Sequence, residues 1–273
     1  MQKVWFITGA SKGMGLEIAK AALANGDKVI ATSRTLEEVK SIGNEKEYML
    51  PLKVDITDEN EVKNAISEGI KKFGKIDVLV NNAGYNLLGN IEEISDSEFR
   101  TTLNVNVFGM LNVIRHIMPQ MRKQKSGHII NTASMMGYMG YAGNGSYNAS
   151  KFAVIGFSEA LAQEVSTFGI NVTILAPGTF RTSFMSESSL TIAKNKIDVY
   201  NLKEQVDTFR SYDGKQLGDP KKLAKVLLQI SRMENPPLHL PLGTDSYNAI
   251  LGIRKREQEE LEQWKELSLS TDF

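Results

Sequence analysis

The chain has 273 residues, 41% hydrophobic and 23% charged, a globular composition that excludes disorder, collagen-like repeats and low complexity. Its 32 basic and 32 acidic side chains cancel, so no global field draws it to nucleic acid or an anionic membrane. There is no cysteine, which excludes disulfides, thiolate metal sites and a cysteine nucleophile, and suits a cytoplasmic protein.

No signal peptide is expected, because the apolar run 4–8 leads straight into Gly9-Ala10-Ser11-Lys12-Gly13 and reads as a strand entering a loop. No run of 18 uncharged apolar residues predicts a membrane span. Residues 3–8 are strand-like, and Leu16, Ala19, Ala22 and Leu23 give the following stretch helical spacing up to Gly26. Residues 28–32 and 48–54 predict two more strands, the second at an edge because it holds Pro51. A helix over 58–73 precedes a continuous apolar strand at 76–80. One long helix is predicted over 96–121, interrupted at Gly109, then a strand at 128–132, a second long helix at 146–168 and a strand at 170–175. Strands that alternate with helices indicate βαβ units. The expected fold is therefore a Rossmann-like, doubly wound α/β domain. Its seven-stranded, mainly parallel sheet carries helices on both faces.

The regularity stops at Pro177-Gly178. Residues 183–218 are too long for a plain connector and predict a substrate lid. A helix over 219–233, an edge strand at 236–242 and a charged helical extension at 244–267 complete a single domain, 1–273, with no internal repeat.

Thr8-Gly9-Ala10-Ser11-Lys12-Gly13-Met14-Gly15 follows a strand and opens a helix. Glycines there allow a tight turn and let backbone N–H groups approach a pyrophosphate at the helix start. The spacing is not the G-x-G-x-x-G of common dinucleotide folds. The second strand ends in Ala31-Thr32-Ser33-Arg34, with no acid for a ribose 2′-hydroxyl. Arg34, with Lys12 near the same corner, can instead pair with a 2′-phosphate, which favours NADP(H) over NAD(H). Glu37 or Glu38 turning back to the ribose is the competing possibility.

Tyr147 and Lys151 stand four apart in Tyr147-Asn148-Ala149-Ser150-Lys151, so a helix puts them on one face. A phenol with a pKa near 10 exchanges protons poorly at neutral pH, and an ammonium beside it can lower that value. An oxidised, positive nicotinamide ring would add to the effect. Ser134 follows the strand at 128–132, and a hydroxyl there points into the crevice where open α/β sheets bind ligands. Asn106 lies inside a helix, where Asn needs a reason to be; Asn104 competes, and spacing to Gly109 favours Asn106.

These motifs resemble those of the short-chain dehydrogenase/reductase family over roughly residues 3–182. Three further segments match: Asn81-Asn82-Ala83-Gly84, Asp55 after the third strand, and Pro177-Gly178 with Thr182. The resemblance implies a catalytic tetrad of Asn106, Ser134, Tyr147 and Lys151. Tyr147 would be the acid or base, and Lys151 would tune it and hold the nicotinamide ribose. Ser134 would orient the substrate oxygen, and Asn106 would support a relay water. The resemblance also assigns a nicotinamide cofactor to Gly9, Ser11, Lys12, Gly13, Met14 and Gly15, to Arg34, Asp55 and Ile56, and to Asn81, Ala83 and Gly84. Tyr147, Lys151, Pro177, Gly178 and Thr182 complete that set. The implied reaction passes hydride between nicotinamide and a carbonyl or secondary alcohol. Steroid- or retinoid-type alcohols are a close variant.

Thr132-Ala133-Ser134 departs from the family's frequent Ser-Ser, and Phe180 from a small aliphatic residue; neither removes a catalytic group. A sugar-nucleotide epimerase is disfavoured by the glycine spacing and the length. A nucleotide sensor without activity is disfavoured by the intact Ser134, Tyr147 and Lys151. His116, His128 and His239 lack metal-ligand spacing, so no metal is expected. Met135, Met136, Tyr138, Met139 and Tyr141, with Leu87 and Leu88, suggest an apolar substrate pocket. The two long helices could pack against a partner's copies, giving a homodimer or homotetramer.

Overall fold

The computed structural model describes residues 1–43, 47–186 and 190–273. Apolar runs pair as one parallel sheet of β1 (Val4–Thr8), β2 (Lys28–Ser33), β3 (Met49–Lys53), β4 (Val78–Asn81), β5 (Gly127–Thr132), β6 (Ile170–Pro177) and β7 (His239–Leu242). Their spatial order is β3-β2-β1-β4-β5-β6-β7. The chain steps outward from β1 to β3, then returns to lay β4 against the other side of β1. That reversal opens a crevice at the carboxyl ends of the strands. Pro51 falls on the edge strand β3, where a missing N–H is tolerated.

The helices are α1 (Gly13–Ala24), α2 (Leu36–Lys40), α3 (Glu59–Phe73), α4 (Asp96–Leu103), α5 (Met110–Gln124), α6 (Gly145–Val165), α7 (Leu202–Ser211), α8 (Pro220–Ile230), α9 (Thr244–Gln263) and α10 (Lys265–Leu269). Alternate strand residues face opposite layers. Phe6, Ile30, Leu79 and Ile129 pack with residues of α3, α5 and α6, whereas Trp5, Ile7, Val29 and Val80 pack with those of α1 and α8. Each such side chain, fully buried, stabilises the fold by about 1.5–3 kcal/mol.

The single helix predicted over 96–121 is three pieces. Between α4 and α5 lies a π-helical turn, Asn104–Gly109, and α5 runs on to Gln124. Gly109 belongs inside that turn because Ile56 crosses against it: a Cβ there would sit 2.7 Å from the Ile56 side chain. Phe108 in that turn and Phe152 on α6 are both exposed.

Within the predicted lid, residues 187–189 lie outside the described residues. The remainder holds a 3-10 turn (Ser183–Met185), a short strand (Thr191–Ile192) paired with Leu87–Leu88, a second turn (Asp198–Tyr200) and α7. Leu202 and Val206 of α7 bury against Leu88. Buried Glu93 accepts from Ile197 N at 2.9 Å, and Glu98 accepts from Lys194 N at 3.1 Å, which ties this stretch to α4 and the loop before it.

A helical extension begins at Thr244. Its first turns dock through Ser246, whose hydroxyl donates to Ala176 O at 2.8 Å, and through Ile250 and Ile253. From Arg254 onward every residue is exposed. No helix among the described residues is long and apolar enough to cross a membrane.

Candidate active site

Gly9 and Gly13 adopt the left-handed backbone, at φ +63° and +59°, which only glycine enters without cost. Gly15 is required for a different reason. A Cβ there would fall 2.3 Å from Gly9 O and 2.6 Å from Asn82 Nδ2. The loop is clamped from β4: Asn82 Nδ2 donates to Thr8 O and Gly9 O, both at 3.1 Å, and Thr8 Oγ1 accepts from the N–H groups of Asn82 and Ala83, both at 3.0 Å. The sequence reading assigned neither Thr8 nor the Asn82 side chain a role. The second Asn of the Asn81-Asn82-Ala83-Gly84 motif was the available signal.

Lys12, the N-cap residue of α1, makes no side-chain capping bond to the helix start, and the first turn carries no acid. Its N–H groups and the positive end of the helix dipole are therefore suited to an anion. Together with the Gly9–Gly15 close approach, this fits the pyrophosphate of a dinucleotide. Ser11 and Met14 are partly enclosed in the same turn. Thr182 comes beside it, its side chain 3.4 Å from where a Gly13 Cβ would be.

Arg34 and Lys12 are both exposed at this end of the sheet. Asp55 spends one oxygen on its own turn, accepting from Thr57 N at 2.9 Å and Thr57 Oγ1 at 2.7 Å. Ile56 is buried against Gly109, and its carbonyl accepts from Asn112 Nδ2 at 3.0 Å. The Asn81 side chain does not face the crevice loop. It is buried in the sheet, donating to Asn131 Oδ1 at 2.9 Å, so bracing falls to Asn82. At the end of β6, Pro177-Gly178 is fixed by Asp245, which accepts from Thr179 N and Thr179 Oγ1, both at 2.7 Å. Asp245 was also unforeseen, because it lies 66 residues beyond its partner.

The four residues expected to carry chemistry come from three elements. Ser134 follows β5 and is 8% exposed; its Oγ accepts from Met136 N at 3.1 Å. Tyr147 and Lys151 are one turn apart on α6, with Lys151 Nζ 5.4 Å from the centre of the Tyr147 ring. Lys151 Nζ donates to Thr132 O at 2.8 Å. Asn106 is fully buried in the π turn, whereas Asn104 is exposed. Asn106 Oδ1 accepts from Tyr85 N at 3.1 Å, and its Nδ2 donates to Tyr85 O at 2.9 Å and Ser150 Oγ at 3.1 Å. A Cβ on Gly84 would lie 3.0 Å from Asn106 Oδ1 and 3.9 Å from Lys151 Nζ, so these groups converge where Gly84 leaves room. The extra residue of a π turn re-aims a side chain, which is how Asn106 leaves the regular helix pattern.

Burial decides the protonation states here. It pushes the Tyr147 phenol up to about 12, against the opposing hydrogen bond from Ser134, and pulls Lys151 down to about 8. Desolvation is the larger influence on the phenol and the Ser134 hydrogen bond the smaller, opposing one. A base whose folded pKa is depressed costs stability while it is charged in the folded state. The unfolded chain binds more protons between about 8 and 10.5, so this group's contribution improves as pH rises through that window. The melting-temperature difference between wild type and Lys151→Met should accordingly move in favour of the wild type from pH 8 to 10. A flat difference would contradict the burial of Lys151.

The segment after Ser134 is only partly the apolar wall expected. Tyr138 turns away to hydrogen-bond His239 Nδ1 at 2.7 Å, Tyr141 is 58% exposed, and Leu87 joins a separate cluster with Ile94. Asn148 fastens the segment to α6, donating to Met136 O and Met139 O, both at 2.8 Å. Phe184 from the 183–185 turn stands 6.2 Å from the Tyr147 ring, centre to centre. Among the described residues no group of three His, Asp or Glu is arranged to hold a metal ion.

A parallel sheet with a helix start at its switch point and a buried Tyr–Lys pair above it defines a nicotinamide-type oxidoreductase architecture. The family model described as short chain dehydrogenase matches residues 3–193, and the chain belongs to that family. It is 38% identical over 273 residues to oxidoreductase BOA17 of Botryotinia fuckeliana, covering 99% of this chain and 100% of that one. It is 36% identical to the 3-ketodihydrosphingosine reductase of Bacteroides thetaiotaomicron, covering 88% of each chain. A short-chain dehydrogenase from Streptomyces avermitilis superposes with a TM-score of 0.91 at 35% identity, over 100% of this chain and 99% of that one. A 3-ketoacyl-(acyl-carrier-protein) reductase from Brucella melitensis complexed with NADH (TM-score 0.72, 27% identity, 88% and 96% covered) is also similar. So is ElxO with NADP bound (TM-score 0.73, 29% identity, 88% and 97% covered).

Proposed function

We propose that the chain is an NADP(H)-dependent oxidoreductase that interconverts a ketone and a secondary alcohol on an apolar small molecule. The observation that carries this reading is the buried convergence of Tyr147, Lys151, Ser134 and Asn106 beside the glycine loop. Gly9, Ser11, Lys12, Gly13, Met14 and Gly15 would hold the pyrophosphate, with Asp55 and the Ile56 backbone toward the adenine. Asn81, through its backbone, Ala83 and Gly84 would line the adjoining wall, and Pro177, Gly178 and Thr182 the nicotinamide end. The cofactor, when bound, supplies or takes up the hydride.

The chain's own groups would handle the proton and the geometry. Tyr147 stays protonated at neutral pH, the state required to donate a proton to a carbonyl oxygen. Lys151 places positive charge beneath that oxygen as it develops negative charge, where low polarity magnifies the effect. Ser134 orients the substrate oxygen, and Asn106 holds the Tyr85 backbone and Ser150 so that Lys151 keeps its position. The stretch 183–218 would act as a lid, with Phe184 over Tyr147 and the Leu88–Leu202–Val206 cluster excluding water. Ketone reduction is supported by the sphingoid-ketone reductase among the relatives.

NADP(H) preference rests on Arg34 and Lys12, since similar structures hold either NADH or NADP. Arg34→Ala is expected to weaken NADPH binding roughly ten- to a hundredfold, the value of a charge-assisted bond to a 2′-phosphate, while NADH binding barely changes. Titrations followed by nicotinamide fluorescence test this. Equal losses for the two cofactors would remove the 2′-phosphate reading.

A further inference from the structure

Beyond Ile253, the last buried residue of α9, the helix runs on to Gln263, about 15 Å further, with every side chain exposed. A stretch this short gains little from its own hydrogen bonds, so its order depends on something that covers it. Tyr247, Leu251, Arg254, Gln258 and Leu261 follow in alternating four- and three-residue steps and therefore share one face. Arg254 leans over the Tyr138 ring of its own chain, 6.0 Å from the ring centre. Tyr247, Leu251 and Leu261 are 60%, 57% and 72% exposed, and Trp264 and Leu267 add exposed apolar surface toward the chain end.

The charges select what covers this face. Arg254, Lys255 and Arg256 are followed by acids at 257, 259, 260 and 262, so the stretch changes sign along its length. Such a stretch complements itself only when turned end for end, which is what a two-fold axis does. Lys255 and Glu262 stand seven residues apart and flank the apolar face on one side, and Glu257 flanks it on the other. Two copies lying in the same direction would set Glu257 against the partner's Glu262, like charge against like. Two antiparallel copies crossing near Gln258 set Lys255 opposite the partner's Glu262, once on each side of the axis, and bring Leu251 toward the partner's Trp264 and Leu267. Within one chain these charges make exposed pairs, Lys255 Nζ to Glu259 Oε1 at 3.9 Å and Lys265 Nζ to Glu262 Oε2 at 3.6 Å, which hold little energy of their own. An anionic lipid surface is a poor alternative, because residues 254–273 carry four basic and six acidic side chains.

We propose that the exposed half of α9 is a self-association element that pairs antiparallel with the same helix of a second copy of this chain. The contact is about three turns long, so by itself it is weak and reversible, and its ion pairs make it sensitive to salt. It lies on a different element from α4, α5 and α6 and does not depend on the chemistry assigned to Tyr147.

Sedimentation velocity of the full chain over a range of concentrations reads the contact, at low salt and again at about 0.5 M, where it should weaken. Lys255→Glu and Glu262→Lys should each weaken association about tenfold or more, because each turns two attractive pairs into two repulsive ones. An equal mixture of the two variants should regain the wild-type association, since one chain then offers acids at both positions and the other bases. Melting temperatures check folding. Should one single variant fold poorly, the double variant Lys255→Glu/Glu262→Lys gives the same reading: it restores the pairs across the axis but not the Lys255–Glu259 pair within the chain. A chain that stays monomeric throughout would overturn the proposal, as would association indifferent to both single variants. So would a weakening that neither the mixture nor the double variant relieves, because the charges would then act only within their own helix.

Discussion

Tyr147→Phe is expected to lower kcat by roughly a thousandfold or more while changing cofactor affinity less than about threefold, since general acid–base groups contribute about 10²–10⁴-fold. The substitution deletes one oxygen and keeps the ring. Packing against Phe184 and the contact with Lys151 would persist, so the fold has little reason to change. The lost group is the only phenol facing Lys151 Nζ and hydrogen-bonded to Ser134 among the described residues. Melting temperature should shift by a few degrees at most, which separates a chemical loss from a folding loss. Retained turnover within about tenfold of wild type would remove Tyr147 from the proton-transfer role.

The second large effect is expected at the glycine loop. In Gly15→Ala the new methyl would lie 2.3 Å from Gly9 O and 2.6 Å from Asn82 Nδ2. The first contact is backbone, and the second belongs to the side chain that clamps the loop. Neither can yield without moving the turn that presents N–H groups at α1. Overpacking of this kind typically costs about 1–3 kcal/mol, so cofactor affinity should fall roughly ten- to a hundredfold, with a lower melting temperature. Gly252→Ala is the matched control, because no atom lies within 4 Å of a Cβ there and α9 is exposed at that point. Unchanged cofactor affinity in Gly15→Ala would show that this close approach does not shape the nucleotide site.

Both effects concern positions legible in the sequence, yet for different reasons. Gly15 was found because a glycine cluster between a strand and a helix has few other uses. Tyr147 and Lys151 were found because four-residue spacing on a helix is a local property. Asn106 against Asn104 is another matter. Spacing to Gly109 favoured Asn106, but helix periodicity fails across a π turn, and what encloses one Asn and exposes the other is the packing of Tyr85, Ser150 and Ile56 from distant segments. Thr8, Asn82 and Asp245 were missed for the same reason: their bonds span 66 to 75 residues.

The order of apolar runs, glycines and helical spacings by itself determined the doubly wound architecture, the place of the glycine loop and the pairing of Tyr147 with Lys151, because each depends on short-range periodicity. Tertiary structure alone decided which groups are dry. Burial raises the phenol and lowers the ammonium, and desolvation depends on every segment that closes over a site.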